Sequence, residues 1–80
     1  MAVTVRYFAG AKAAAGVETE QLEAATVADL VALLGEHHGQ HLTRVLASCS
    51  FLVDGISARD RTAALPAGAT IDVLPPFAGG

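Results

Sequence analysis

The sequence has no tryptophan, one tyrosine and one cysteine among its 80 residues, and aromatic side chains make up only 5% of it. A single Cys49 excludes an internal disulfide framework and suits a reducing compartment. Positive charge is also scarce, with five basic residues against eight acidic ones and a net charge of −3. Arg6, Lys12, Arg44, Arg59 and Arg61 are spread along the chain. No basic face is available to displace phosphate counterions, which argues against a nucleic-acid partner. No apolar run approaches the roughly 20 residues of a membrane span. The first residues, Met1 to Arg6, lack a basic region followed by an apolar stretch. The expectation is a cytoplasmic protein with neither a membrane nor a nucleic acid among its partners.

Catalytic groupings are missing as well, since no acid–base or nucleophile constellation is present. A chain this short buries only about 60% of its unfolded surface, so a stable core must be dense in apolar residues. Hydrophobic residues make up 52% of the chain, mostly Ala, Val and Leu. That composition leaves room for a core but none for a deep enclosed pocket. An autonomous enzyme is therefore disfavoured.

What is present organises into one domain. Residues 2–8 alternate with period two, Val3, Val5 and Tyr7 on one face and Thr4, Arg6 and Phe8 on the other, which predicts a strand. Residues 9–16, bounded by Gly10 and Gly16, read as a loop with at most a helical turn. Residues 18–23 form a polar second strand suited to a sheet edge. Thr26 is a good N-cap for a helix running to Gly39, with Asp29 near its positive end and Val27, Leu30, Val31 and Leu34 as its apolar stripe. Residues 41–47 predict a second short helix with Leu42, Val45 and Leu46 inward. Residues 50–54 form a third strand closed by the Asp54-Gly55 turn, with a short hairpin return over 56–59. After the turn at Leu65-Pro66-Ala67-Gly68, residues 69–74 make the last strand, with Ile71 and Val73 on one face.

Everything after Leu74 departs from this pattern. Pro75 and Pro76 donate no ladder hydrogen bonds and fix their own φ, so the strand must stop and leave along a stiff, extended path. Phe77 is a large apolar side chain on a segment too short to fold back, and Ala78, Gly79 and Gly80 reduce the chain to nearly bare backbone. A thread without Cβ atoms can enter a tunnel that ordinary side chains cannot, with a carboxylate at its tip. With glycine near 7% of average usage, a terminal Gly-Gly arises by chance about once in 200 sequences. The preceding prolines and aromatic make an accident rarer still, so the thread is read as functional rather than frayed.

The strand–strand–helix–strand–strand order ending in Pro75-Pro76-Phe77-Ala78-Gly79-Gly80 resembles the small-subunit family of molybdopterin synthase, which are ubiquitin-like sulfur carriers. Val5-Arg6-Tyr7-Phe8-Ala9, Thr26-Val27-Ala28-Asp29-Leu30 and Val53-Asp54-Gly55 match as well. The resemblance implies an α+β fold of the β-grasp, ubiquitin-like type. Its main helix would pack across a mixed sheet, its first and last strands would lie side by side, and a flexible tail would follow. Residues 1–75 would form the domain and 76–80 the projecting tail.

The resemblance also implies a mechanism. An adenylating activating enzyme uses ATP on the Gly80 carboxylate, a sulfur donor converts it to a thiocarboxylate, and the large synthase subunit receives the tail. The sulfur then passes to the pterin precursor. The carrier would be a non-catalytic subunit with no stably bound cofactor and no metal. Gly80 would be the reacting position, Gly79 and Ala78 the slim thread, and Pro75, Pro76 and Phe77 the rigid exit and apolar anchor. Phe8 and Lys12 would contact partners. Lys12 stands where an arginine is expected, so a bidentate contact is lost.

Two other readings stay open: a carrier for thiamine, cysteine or another thiocarboxylate pathway, and a ubiquitin-like modifier or binding module. The double proline favours the molybdopterin pathway over thiamine carriers, and a single lysine disfavours chain building. His37, His38 and His41 suggest a metal, but Gly39 interrupts them and no cysteine or carboxylate pair completes the set. They are read as a solvated helix end favoured by the helix dipole. Cys49 reads as a small, partly buried strand residue, and Arg59, Asp60 and Arg61 as a solvated loop.

Overall fold

A computed structural model describes residues 2–76 of the chain. Phe77, Ala78, Gly79 and Gly80 lie outside the described residues, and so does the expected flexible tail beyond Pro76. The chain runs β1 (Ala2–Tyr7), α1 (Ala9–Ala15), β2 (Thr19–Glu23), α2 (Val27–His38), α3 (Gln40–Ala47), β3 (Ser50–Val53), β4 (Ile56–Ser57) and β5 (Thr70–Leu74). The five strands form one sheet in the order β2-β1-β5-β3-β4. The first and last strands pair in parallel, with Val5 opposite Ile71 and Tyr7 opposite Val73. β1–β2, β3–β5 and β3–β4 are antiparallel, so the sheet is mixed, as the β-grasp fold requires. β2 occupies an edge, where its glutamates discourage pairing with another chain.

Alternation decides which side chains meet the helices. Val3, Val5 and Tyr7 from β1, Phe51 from β3, and Ile71 and Val73 from β5 are buried on one side of the sheet. Val27, Leu30 and Leu34 of α2, Leu42 and Leu46 of α3, and Ala11 of α1 close over them. Each fully buried aliphatic side chain is worth about 1.5–3 kcal/mol, which lets so small a chain hold a fold. Val31 and Val45 pack only at the margin of this core.

The helical layer differs from expectation in one place. Residues 9–16 were predicted as a loop, yet Ala9–Ala15 is a helix. Its Ala-rich sequence carries high intrinsic propensity, Ala11 is fully buried, and Gly16 N–H closes the last turn onto Lys12 O at 2.9 Å. Gly10 lies within its first turn and Gly16 caps its end, so neither breaks it.

Elsewhere local signals hold. Thr26 Oγ1 accepts from Asp29 N at 3.1 Å and caps α2. Gly39 ends α2 and starts α3 with φ 92°, a conformation that L side chains rarely adopt. Asp54 and Gly55, both at positive φ (50° and 85°), make the two-residue turn between Val53 and Ile56. The hairpin return is shorter than expected, only Ile56–Ser57. No helix among the described residues is long and apolar enough to cross a membrane.

Candidate functional site: the exit of the last strand

β1 and β5 run parallel, so they finish at the same end of the sheet. Phe8 follows one and Pro75 follows the other. The ladder closes there with Phe8 N donating to Val73 O at 3.3 Å, and β5 ends at Leu74. Pro75 is half-buried and Pro76 exposed. The chain therefore leaves from the middle of the sheet, since β5 lies between β1 and β3. The two prolines end β5 as the sequence predicted, because neither can supply the next ladder donor.

Phe8 and Lys12 belong to the same end. Phe8 precedes α1 in an extended conformation, and its carbonyl accepts from Ala11 N at 3.1 Å and Lys12 N at 3.4 Å. Ala9 turns this corner at φ 50°. The Phe8 ring is 37% exposed, and the Arg6 guanidinium lies 5.6 Å from its centroid, within cation–π range. Lys12 is exposed on the first turn after it. Beside Lys12 lies a shallow depression of about 380 Å³ lined by Ala9, Ala13, Gly16, Val17 and Glu18. Val17, at 40% exposed, adds a second apolar surface at this end. Phe77, Ala78, Gly79 and Gly80, which carry the expected chemistry, lie outside the described residues.

Sequence reasoning missed the polar frame behind the exit. Arg6 Nε donates to Asp72 Oδ1 at 2.6 Å and Arg6 Nη2 to Asp72 Oδ2 at 2.9 Å, a bidentate pair on the sheet face away from the helices. Asp72 is 9% exposed and sits opposite Arg6 in register, so the pair ties β1 to β5 two residues before the strand ends. Hydrogen bonding by Asp72, and then its charge, hold the Arg6 guanidinium above its usual range. A carboxylate interrupting Ile71-Asp72-Val73 was the available signal, because a charge on a central strand needs a partner.

The histidine and cysteine expectations also change. His38 is not a solvated helix end: its side chain is 16% exposed, and Nε2 donates to Glu20 Oε1 at 2.7 Å. Tyr7 Oη donates to the same oxygen at 2.5 Å. Burial alone would raise the Glu20 carboxyl. Its hydrogen bonds from Tyr7 and His38 and the charges of His38 and His37 outweigh that and hold it below the usual carboxylate range. Burial and the Glu20 carboxylate push the Tyr7 phenol well above its ordinary value. Among the described residues no three His, Cys, Asp or Glu side chains are grouped to hold a metal ion.

Cys49 precedes β3 rather than lying in it. It is 4% exposed, donates from Sγ to Val45 O at 3.1 Å, and is raised by burial against a smaller lowering by Arg61. A buried, protonated thiol is a poor nucleophile. Arg61 is exposed on the expected solvated loop, as are Arg59 and Asp60, but the Arg61 side chain also reaches back onto the fold. Its guanidinium lies 4.9 Å from the Phe51 centroid, and Nη2 donates to Cys49 O at 3.4 Å.

A family model for the ThiS family matches residues 5–80. The crystal structure of SAMP1 from Haloferax volcanii is similar over the whole of both chains, at 26% identity and a TM-score of 0.83. The protein–protein complex of subunits 1 and 2 of molybdopterin-converting factor from Helicobacter pylori 26695 contains a chain similar over the full length of both, at 29% identity and a TM-score of 0.78. Small archaeal modifier protein 1 from Methanosarcina acetivorans, at 25% identity, covers 99% of this chain and 96% of its own with a TM-score of 0.85. No curated protein matches the chain. The matched span and the β-grasp topology together place this chain in the ThiS family, as a ubiquitin-like protein of the sulfur-carrier or small-modifier kind.

Proposed function

We propose that this chain is the sulfur carrier of a molybdopterin-type pathway and that Gly80 carries the sulfur. The observation that carries the reading is the tail Pro75-Pro76-Phe77-Ala78-Gly79-Gly80, joined without a linker to the central strand β5. A strand anchored by β1 on one side and β3 on the other is a firm base from which a thin thread can reach into a partner's active site. The similarity to a chain of the Helicobacter pylori complex supports this pathway.

In this mechanism a partner activating enzyme joins the Gly80 carboxylate to the AMP moiety of ATP, releasing pyrophosphate. A sulfur donor displaces AMP from the mixed anhydride and leaves a thiocarboxylate. That sulfur then attacks the pterin precursor within the large subunit, and hydrolysis returns the carboxylate. Phe8, Lys12 and the Pro75-Pro76 exit would supply the partner contacts, the apolar ones from the ring and the prolines. Lys12 presents a single point charge.

Similarity to two archaeal modifier proteins favours one second reading, in which the activated Gly80 is joined to an amine of another protein. Intact-mass measurement separates the two. The chain is incubated with ATP, a sulfur donor and a molybdopterin-type activating enzyme, with a competent carrier as control. Replacement of one C-terminal oxygen by sulfur, lost on deleting Gly80, is the expected result. Unchanged mass beside a working control sinks both readings, and a covalent adduct on a protein amine with no thiocarboxylate supports the modifier. Binding of the thiocarboxylated chain to a thiazole synthase in place of a molybdopterin synthase large subunit would move it to the thiamine pathway.

A further inference from the structure

Lys12 is the only lysine in the sequence, and the fold sets it beside the exit of the last strand. Two hydrogen bonds trace the path. Lys12 N donates to Phe8 O at 3.4 Å, and Phe8 N donates to Val73 O at 3.3 Å. One residue and two hydrogen bonds thus separate the Lys12 backbone from β5, at most about 10 Å. Lys12 is exposed at the rim of the depression lined by Ala9, Ala13 and Val17, and among the described residues it makes no ion pair.

The reach of the thread matches that separation. From Val73 to Gly80 the chain can span up to about 23 Å, and the part from Phe77 to Gly80 alone supplies about 13 Å beyond the stiff prolines. Other nucleophiles compete poorly. Arginine guanidinium groups stay protonated, and the Cys49 thiol is buried. An amine preceding Ala2 starts from the opposite end of β1, about 17 Å from Tyr7.

We propose that Lys12 is an acyl acceptor for its own chain: once Gly80 is activated, the Lys12 amine takes the acyl group and closes the chain into a lariat. The proposal rests on the reading that Gly80 is activated as a mixed anhydride with AMP. The Lys12 nitrogen, free of its extra proton, adds to the Gly80 carbonyl carbon, which carries no side chain beside it to block the approach. AMP leaves with the electron pair of the bond it shared with that carbon, and the surplus proton on nitrogen passes to water. One amide bond forms, one anhydride bond breaks, and nothing is oxidised or reduced. A tether this short gives an effective concentration on the order of 1 mM, so the chain's own amine outcompetes that of a second copy in micromolar solution. The closed chain has no carboxylate left to activate, so activation without a sulfur donor takes the carrier out of use.

The test uses the full chain made as a thioester at Gly80, which supplies an activated acyl group without any partner enzyme. Wild type should release the thiol, finish one water lighter than the free acid, and yield on proteolysis a branched peptide joining Lys12 to Gly80. The rate should not change on dilution. It should fall about tenfold or more in urea that unfolds the chain, because the loop to be closed then spans most of the sequence. Lys12→Arg should give only the hydrolysed acid, and added Nα-acetyllysine should restore the wild-type rate of thiol release only at about 1 mM or more. Hydrolysis of wild type without the branched peptide overturns the proposal. So does closure onto the N-terminal amine, crosslinking of copies in place of closure, or a rate as fast in urea as in the folded chain. Because the thioester bypasses adenylation, these results leave the sulfur-carrier reading standing; that reading fails separately if a competent activating enzyme releases no pyrophosphate with this chain.

Discussion

Gly35 is where the closeness of α2 and α3 can be measured as an energy. A Cβ built there would stand 2.6 Å from Thr43 Oγ1 and 3.8 Å from Thr43 Cβ. The second distance is ordinary contact; the first is a clash with a hydroxyl that can turn away. At an open position inside a helix, alanine is more stable than glycine by about 0.5–1 kcal/mol. At Gly35 that gain is opposed by two costs. Thr43 must abandon the hydrogen bond that Oγ1 donates to Gly39 O at 3.2 Å, worth at most about 1 kcal/mol at an exposed site. Its β-branched side chain has few helical rotamers left, and a forced χ1 costs about 0.5–1.5 kcal/mol.

Gly35→Ala alone should therefore fall between about 0.5 kcal/mol stabilising and roughly 2 kcal/mol destabilising, from the same terms. In a Thr43→Ala background only the Cβ contact remains, and the same substitution should stabilise by about 0.5–1 kcal/mol. A double-mutant cycle from urea melts should then show coupling of about 1 kcal/mol or more between the two positions. In a domain of this size 1 kcal/mol moves Tm by about 4–8 °C, so the effect is easily resolved. Coupling below about 0.3 kcal/mol, which is the level of additive, independent sites, would refute the claimed approach of the two helices.

Two further perturbations probe the frame of the carrier. Leu34 is fully buried beneath the sheet, so Leu34→Ala should cost about 2–5 kcal/mol by calorimetry; a loss under ~1 kcal/mol would mean that α2 is not seated as described. Asp54 holds a positive φ and accepts from Thr70 N at 2.9 Å, tying the β3–β4 turn to the start of β5. Asp54→Ala should lose about 1–2 kcal/mol in thermal melts, and Asp54→Asn, which keeps the acceptor and tolerates the conformation, should stay within about 0.5 kcal/mol of wild type.

Much of this fold was legible because its signals are local and periodic. Val3-Val5-Tyr7 and Ile71-Val73 announce one buried sheet face by alternation, Thr26 announces the start of α2, and Asp54-Gly55 announces a tight hairpin. The α1 segment was misread because the glycines at its ends were weighed above its alanines, and the burial of Ala11 that completes the case is a tertiary fact. For the candidate site, the proline exit was legible from the residues themselves, whereas Phe8 and Lys12 were implied only by family resemblance. The parallel pairing that puts them at one end of the sheet was implied only by family resemblance.

By itself the sequence determined the strands, the start of α2, the stop after Leu74 and the small-residue composition of the tail, because each depends on backbone chemistry within a few residues; α1 was the exception. The tertiary structure decided which charges are paired. Arg6 and Asp72 are 66 residues apart, and Glu20 and His38 are 18 apart. Neither pairing has a local signature, because an isolated charged residue reads the same whether it faces water or a distant partner. Burial settles that question: a carboxylate taken out of water needs a donor, and only the folded chain brings one within 3 Å.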